Sequence, residues 1–136
     1  NSIAAAREAI IVTTPEISAV RDADRVIGLL EANDIKAVRL VINRLRPAMV
    51  AAEQMMSVKD VQGILSIPLL GVIPDDEQVI VSTNKGEPLV LEEKLSKAGI
   101  AFTNVSQRLQ GEKVPLMDLS IQQDSFFTRL KRLFGM

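Results

Sequence analysis

Three short apolar runs, separated by stretches long enough for a helix, constrain this chain more than any other feature. The first is Ala9-Ile10-Ile11-Val12-Thr13-Thr14, which stops at Pro15. The second is Ala37-Val38-Arg39-Leu40-Val41-Ile42-Asn43, and the third is Leu69-Leu70-Gly71-Val72-Ile73, which stops at Pro74. Runs this short and this rich in β-branched residues read as strands buried on both faces, the kind found in parallel sheets. Between the first two, Ala19, Val20, Ala23, Val26, Ile27 and Leu30 recur at helical spacing, while Arg21, Asp22, Asp24, Arg25 and Glu31 take the opposite face. Ser18 is placed to cap that helix and Asn33-Asp34 to close it. A strand–helix–strand unit of this kind takes a right-handed parallel crossover by strong default.

The alternation continues. Pro47 ends the exit loop of the second strand, and Ser57 is placed to cap a short helix over 58–65. Asp75-Asp76-Glu77 supplies the acids that a helix N-terminus favours. That helix ends near Asn84-Lys85-Gly86, with Gly86 as a left-handed cap and Pro88 blocking continuation. Residues 91–110 read as one longer helix whose apolar positions include Leu95, Ile100, Val105 and Leu109. Residues 111–123 are mixed, carry a proline and read as a linker. The expected fold class is α/β, a partial parallel sheet with flanking helices. Three strands are few for such a sheet, and the chain starts at Asn1 rather than methionine. The expectation is therefore the C-terminal half of a larger α/β domain over 1–110, then the linker, then a separate segment over 124–136.

That last segment is amphipathic. Wound as a helix, Phe126, Phe127, Leu130, Leu133 and Phe134 fall on one arc, with Arg129 and Lys131 on its borders and Arg132 opposite. Aromatics beside a dense basic cluster suit a peripheral membrane anchor. A helix packed on its own core or on a partner protein is the competing reading. No apolar run approaches the roughly 20 residues of a membrane span.

Composition narrows the chemistry. The chain contains no cysteine and no histidine, which removes disulfides, thiolate chemistry, ordinary zinc sites and histidine acid–base catalysis. A net charge of −1 gives no basic bias, so no nucleic-acid partner is expected. Neither a GxxxxGK[ST] loop nor a GxGxxG loop is present. What remains is the set of loops at the strand C-termini, where parallel α/β sheets bind ligands. Thr14-Pro15-Glu16, Asn43-Arg44 and Pro74-Asp75-Asp76 should all open on that edge. Asn43 has an amide that donates and accepts at once, which suits a purine edge, although an asparagine ending a strand also serves as a plain turn former. Asp75 and Asp76 are either solvated helix-start charges or part of a ligand-contacting turn.

At these loops the chain resembles the ParA/MinD family of deviant-Walker ATPases, in particular its cyanobacterial and plastid members. The resemblance is carried by Val12-Thr13-Thr14-Pro15-Glu16-Ile17-Ser18-Ala19-Val20-Arg21-Asp22-Ala23-Asp24-Arg25, by Val41-Ile42-Asn43-Arg44 and by Met56-Ser57-Val58-Lys59-Asp60-Val61. Gly71-Val72-Ile73-Pro74-Asp75-Asp76, Ser82-Thr83-Asn84-Lys85-Gly86-Glu87-Pro88 and Arg129-Leu130-Lys131-Arg132-Leu133-Phe134-Gly135 continue it in order, and it is weakest over 111–123.

The resemblance implies a P-loop NTPase-like three-layer fold and a homodimer closed around ATP and Mg. It implies a division-site placement ATPase that inhibits misplaced septation with a MinC-like protein and is regulated by a MinE-like one. By the same resemblance, Asn43, Pro74, Asp75, Asp76 and Val79 border the adenine, with Arg44 stacking nearby. Glu16 lies at the dimer face near nucleotide. Asp22, Asp24 and Arg25 belong to the surface for which the two partner proteins compete. The protein would sit on an anionic membrane at the cytoplasmic face of the plasma membrane, or in the plastid stroma and inner envelope. The family's phosphate-binding loop and magnesium-binding switch segments have no counterpart in this chain. It is thus expected to bind neither cofactor fully, to hold no metal and no catalytic residue of its own, and not to hydrolyse ATP alone. A ParA-like DNA-segregation ATPase and a non-enzymatic α/β interaction module are the alternatives.

Overall fold

A computed structural model describes residues 5–119. The amphipathic segment, with Phe126, Phe127, Arg129, Leu130, Lys131, Arg132, Leu133 and Phe134, lies outside the described residues. Strands β1 (Glu8–Thr13), β2 (Ala37–Leu45) and β3 (Leu69–Pro74) form one sheet in the order β1-β2-β3, with both pairs parallel. Helix α1 (Ile17–Ala32) joins β1 to β2, and α2 (Pro47–Ala51) and α3 (Val58–Leu65) join β2 to β3. After β3 come α4 (Glu77–Lys85), a 3-10 turn (Leu89–Leu91) and α5 (Lys97–Leu109). This is the α/β class expected, a parallel sheet with flanking helices.

β2 is the strand that holds the two layers together. Successive side chains of a strand point to opposite faces. Val38, Leu40 and Ile42 pack in one buried cluster with Val20, Ile27 and Leu30 of α1 and Val61 and Leu65 of α3. Val41 faces the other way, clustered with Leu70 and Ile73 of β3 and Ala98 and Ala101 of α5. Gly71 explains how closely α5 approaches: a Cβ there would collide with the side chain of Val105.

β1 departs from the expectation of burial on both faces. Ile11 and Thr13 are buried, but Ile10 is 43% and Val12 61% exposed. α5 packs on β3 and does not reach across to β1, so only the α1 face of that strand is covered. Ser18 is not the cap of α1. The Glu16 carbonyl already accepts from the N–H of Val20 at 2.9 Å, so the helix is under way at Ile17, and Glu16 holds the cap position without a side-chain hydrogen bond. Pro47 does not end a loop but opens α2, where its missing N–H costs nothing. The long helix expected over 91–110 is shorter. Leu89–Leu91 is a separate turn, Leu91 is 77% exposed, and α5 starts after Ser96, whose hydroxyl accepts from the N–H of Gly99 at 3.2 Å.

The other punctuation is where the sequence puts it. Ser57 and Asp60 form a reciprocal capping box, with bonds of 3.1 and 3.0 Å. Gly86 closes α4 at φ 70°. Residues 112–119 have no regular secondary structure, yet they are fastened. The Arg108 guanidinium donates to the carbonyls of Leu70 (3.0 Å), Val114 (2.9 Å) and Pro115 (2.9 Å). Met117 packs against the α5-side cluster and Leu119 against the α1-side cluster, so this strap touches both layers.

Candidate functional site: the strand exits of β2 and β3

β2 does not stop at Asn43. Between the pairs Ile42–Val72 and Leu45–Pro74 it spends three steps where β3 spends two, which is a β-bulge. The extra residue puts Arg44 in the left-handed region at φ 58°. A side chain other than glycine held there costs about 1–3 kcal/mol, and such residues gather where a side chain has to be aimed. The bulge is closed locally, since Oδ1 of Asn43 accepts from the N–H of Arg44 at 3.0 Å. That bond fixes which end of the amide is oxygen and leaves the Nδ2 donors of Asn43 without a hydrogen-bond partner among the described residues.

β3 brings its own exit alongside. The N–H of Asp75 donates to the Leu45 carbonyl at 2.8 Å, prolonging the ladder past the bulge. The Asp75 carboxylate then gives one oxygen to each arginine of the β2 exit. Oδ1 stands 3.6 Å from Nε of Arg44, and Oδ2 stands 3.0 Å from Nε of Arg46. The three side chains are 69%, 58% and 30% exposed for Arg44, Arg46 and Asp75. Exposed ion pairs are worth about 0–1 kcal/mol, so these contacts orient the arginines more than they stabilise the fold.

Asp76 has a different task. Its Oδ1 accepts from the N–H of Gln78 at 3.0 Å and its Oδ2 from the N–H of Ala98 at 3.1 Å, so one carboxylate caps α4 and ties down the first turn of α5. Desolvation pushes its pKa up. The bonds from Ala98 and Gln78, the Ser96 hydroxyl and the nearby Lys97 outweigh this, and the group ends below the ordinary value of 3.8. Asp60 is also lowered, by the backbone and hydroxyl of Ser57. Pro74 is buried, and Val79 packs half-buried against the α5-side cluster. The structure therefore brings together Asn43, Arg44, Pro74, Asp75, Asp76 and Val79, with Asn43, Arg44 and Asp75 carrying the accessible polar groups.

Glu16 is exposed at the exit of β1, and no hydrogen bond or ion pair among the described residues joins it to that cluster. It lines a groove of about 1040 Å³ whose walls include Ile17 and Arg21 of α1, Met49 of α2, Met55, Met56 and Asp60. On the outer face of α1, Asp22 pairs with Arg25 at 3.4 Å and Asp24 is exposed beside them. Sequence reasoning passed over Arg46 and the three methionines. The signal was present as two arginines, Arg44 and Arg46, leaving one strand opposite an acid, Asp75, leaving its neighbour. Among the described residues no group of three or more acidic side chains is placed to hold a metal ion. Among them, too, no helix is long and apolar enough to cross a membrane.

Parallel strands whose exits meet around a bulged, polar turn define a class: α/β proteins that bind a ligand at the C-terminal edge of the sheet. The comparisons with known proteins name the family. The profile of the ParA family, described as NUBPL iron-transfer P-loop NTPase, matches residues 1–110. The septum site-determining protein MinD of Synechocystis is 57% identical over 132 residues, 97% of this chain and 50% of that protein. The solved MinD cell division protein of Aquifex aeolicus superposes with a TM-score of 0.81 at 42% identity, over 85% of this chain and 49% of that one. The MinC:MinD complex of the same organism superposes with a TM-score of 0.79 at 44% identity, over 82% of this chain and 46% of that one. This chain belongs to the ParA/MinD family of P-loop NTPases, and it spans about half the length of the curated relative it matches.

Proposed function

We propose that this chain supplies the base-facing half of the nucleotide site, and the membrane-contacting segment, of an ATP-switched ATPase that places the division site. The observation that carries this reading is the left-handed Arg44 and the Asn43 amide, whose Oδ1 accepts from the Arg44 N–H, held at the bulged exit of β2 beside Asp75. Asn43 reads the purine edge, Arg44 stacks on the ring, and Pro74, Asp76 and Val79 hold the facing turn. Triphosphate and Mg need a phosphate loop and oxygen ligands, which supply most of the catalytic work in phosphoryl transfer. The sequence of this chain carries no such loop, so it assigns itself no step of hydrolysis.

Glu16 faces a second copy near nucleotide. The exposed face of α1 with Asp22, Asp24 and Arg25, next to the methionine-lined groove, receives a MinC-like partner and a MinE-like regulator. The segment 124–136 meets an anionic membrane at the cytoplasmic face of the plasma membrane, or the inner envelope where the protein works in a plastid. One short amphipathic helix binds marginally, and two on one dimer bind far better, because the second meets the surface at high effective concentration. Dimerisation is then the membrane switch.

Co-sedimentation of the full-length protein with anionic vesicles, titrated with Mg-ATP, tests both halves of this reading. Asn43→Ala should raise the ATP needed for half-maximal binding by roughly tenfold, about 1.4 kcal/mol. Leu130→Glu should abolish retention at any ATP concentration. An unchanged ATP requirement in the first variant refutes the adenine assignment, and unchanged retention in the second refutes the anchor.

A further inference from the structure

Arg46 makes three contacts that point in two directions. Its Nε reaches Oδ2 of Asp75, 3.0 Å away in the base-facing cluster. Its guanidinium also donates to Sδ of Met49 at 3.7 Å, and its backbone N–H donates to Sδ of Met55 at 3.4 Å. Both sulfurs belong to walls of the groove. Asp75 in turn gives its other oxygen to Arg44, the strained residue of the bulge. An unbroken chain of polar contacts therefore runs from Arg44 through Asp75 and Arg46 to Met49 and Met55.

The groove wall at the far end is lightly anchored, with Val50 of α2 packed half-buried against the α1-side cluster. α2 is five residues long and buries none of them fully. Its cap residue is Arg46, whose side chain makes no cap hydrogen bond while its carbonyl accepts from the N–H groups of Met49 at 3.0 Å and Val50 at 3.1 Å. An element with few buried contacts moves at low cost. Thioether sulfur accepts weakly and methionine adapts its shape readily, so the sulfur contacts follow Arg46 without resisting it.

We infer that Arg46 is a positioning residue linking occupancy of the base-facing site to the shape of the methionine-lined groove. The inference rests on the nucleotide reading above. A ligand that engages Arg44 withdraws it from Asp75. The carboxylate is then left to Arg46 alone, the Arg46 guanidinium is drawn toward the β3 exit, and α2 with Met49 follows. By reciprocity of linked equilibria, a ligand filling the groove alters affinity at the base-facing site by the same factor. Bringing Met49 and Arg46 under the control of a shared carboxylate requires no large motion, only the redistribution of one anion between two exposed cations.

The test uses the full-length protein labelled with ¹³C at its methionine methyls and ¹⁵N at its amides, titrated with Mg-ADP. ADP is chosen because the input is the base and not the terminal phosphate. In the native protein the Asn43 amide and the Met49 and Met55 methyl signals should shift together, with one apparent Kd. In Arg46→Ala the Asn43 amide should still titrate, while the methyl shifts fall to less than half their native size. Arg46→Lys, which keeps the charge and loses the planar fork, should fall between the two. Methyl shifts in Arg46→Ala equal to the native ones overturn the link, as do native methyls that stay still while Asn43 titrates. An Asn43 amide that ignores Mg-ADP refutes the nucleotide reading itself and removes the input the link requires.

Discussion

Arg108 and the Arg44–Arg46 pair both stand beside β3, and they spend their guanidinium groups on different acceptors. Arg108 is half-buried and spends its guanidinium on three main-chain carbonyls, those of Leu70, Val114 and Pro115. Those acceptors cannot rotate away and cannot be neutralised. Arg44 and Arg46 are mostly exposed and share one carboxylate, that of Asp75, which solvent, salt or a ligand can claim. The first arrangement holds a strap in place whatever the conditions. The second holds two side chains ready for exchange. The same residue type thus serves permanence on one flank of β3 and exchange at its exit, and what decides is the acceptor and its exposure.

The largest expected effect lies on the permanent side. Arg108→Ala removes a charged donor from three carbonyls and frees the strap, and should cost about 2–3 kcal/mol of unfolding free energy in urea. A loss below about 1 kcal/mol would show that the strap is held by its other contacts, those of Met117 and Leu119 among them. Asp76→Ala comes next, removing the cap of α4 and one bond to the first turn of α5 for about 1–2 kcal/mol. Its pH dependence sharpens the comparison. A carboxyl with a lowered folded pKa contributes stability above its ordinary value of 3.8 and loses it as pH falls through the lowered one. Wild type and Asp76→Ala should therefore differ by a constant amount at neutral pH and converge in acid below 3.8. A gap that persists there would mean that the side chain acts by packing. The smallest effect is Arg46→Ala, at most about 1 kcal/mol, disappearing in molar salt. A loss as large as that of Arg108→Ala would erase the distinction between the two flanks.

Much of this architecture was legible in the sequence because local rules and tertiary demands agree. Ser57 as a cap, Gly86 before Pro88, and Val20, Ala23, Ile27 and Leu30 of the α1 stripe each need only their neighbours to be read, whereas Val26 of that stripe stays 41% exposed. Failures occur where the decisive partner is remote. Val12 looks like a core residue, but its exposure depends on how far α5 extends across the sheet. Leu91 reads as the opening of the helix over 91–110, but Leu89–Leu91 forms a turn of its own and the long helix begins after the cap at Ser96. Pro47 reads as a stop and proves to be a start, since proline fits a first helical turn as well as it ends a strand exit.

In the site the division is similar. Asn43, Arg44 and Asp75 stand at strand ends, which hydropathy alone marks. The bulge that strains Arg44 depends on the register with β3, and no reading of β2 by itself contains that information. Arg46 was passed over for the same reason, because its meaning comes from Asp75, twenty-nine positions away by number but adjacent in the ladder.

The strap held by Arg108 has one more consequence. Exposed strand edges invite pairing with other strands, and proteins commonly blunt them with a covering segment. Arg108 takes the Leu70 carbonyl, so one main-chain acceptor near the start of β3 is no longer free to pair with a further strand. β1 pairs only with β2 among the described residues and keeps Ile10 and Val12 uncovered. The two flanks of the sheet therefore differ, one with a main-chain acceptor spent on Arg108 and the other with two apolar side chains left uncovered.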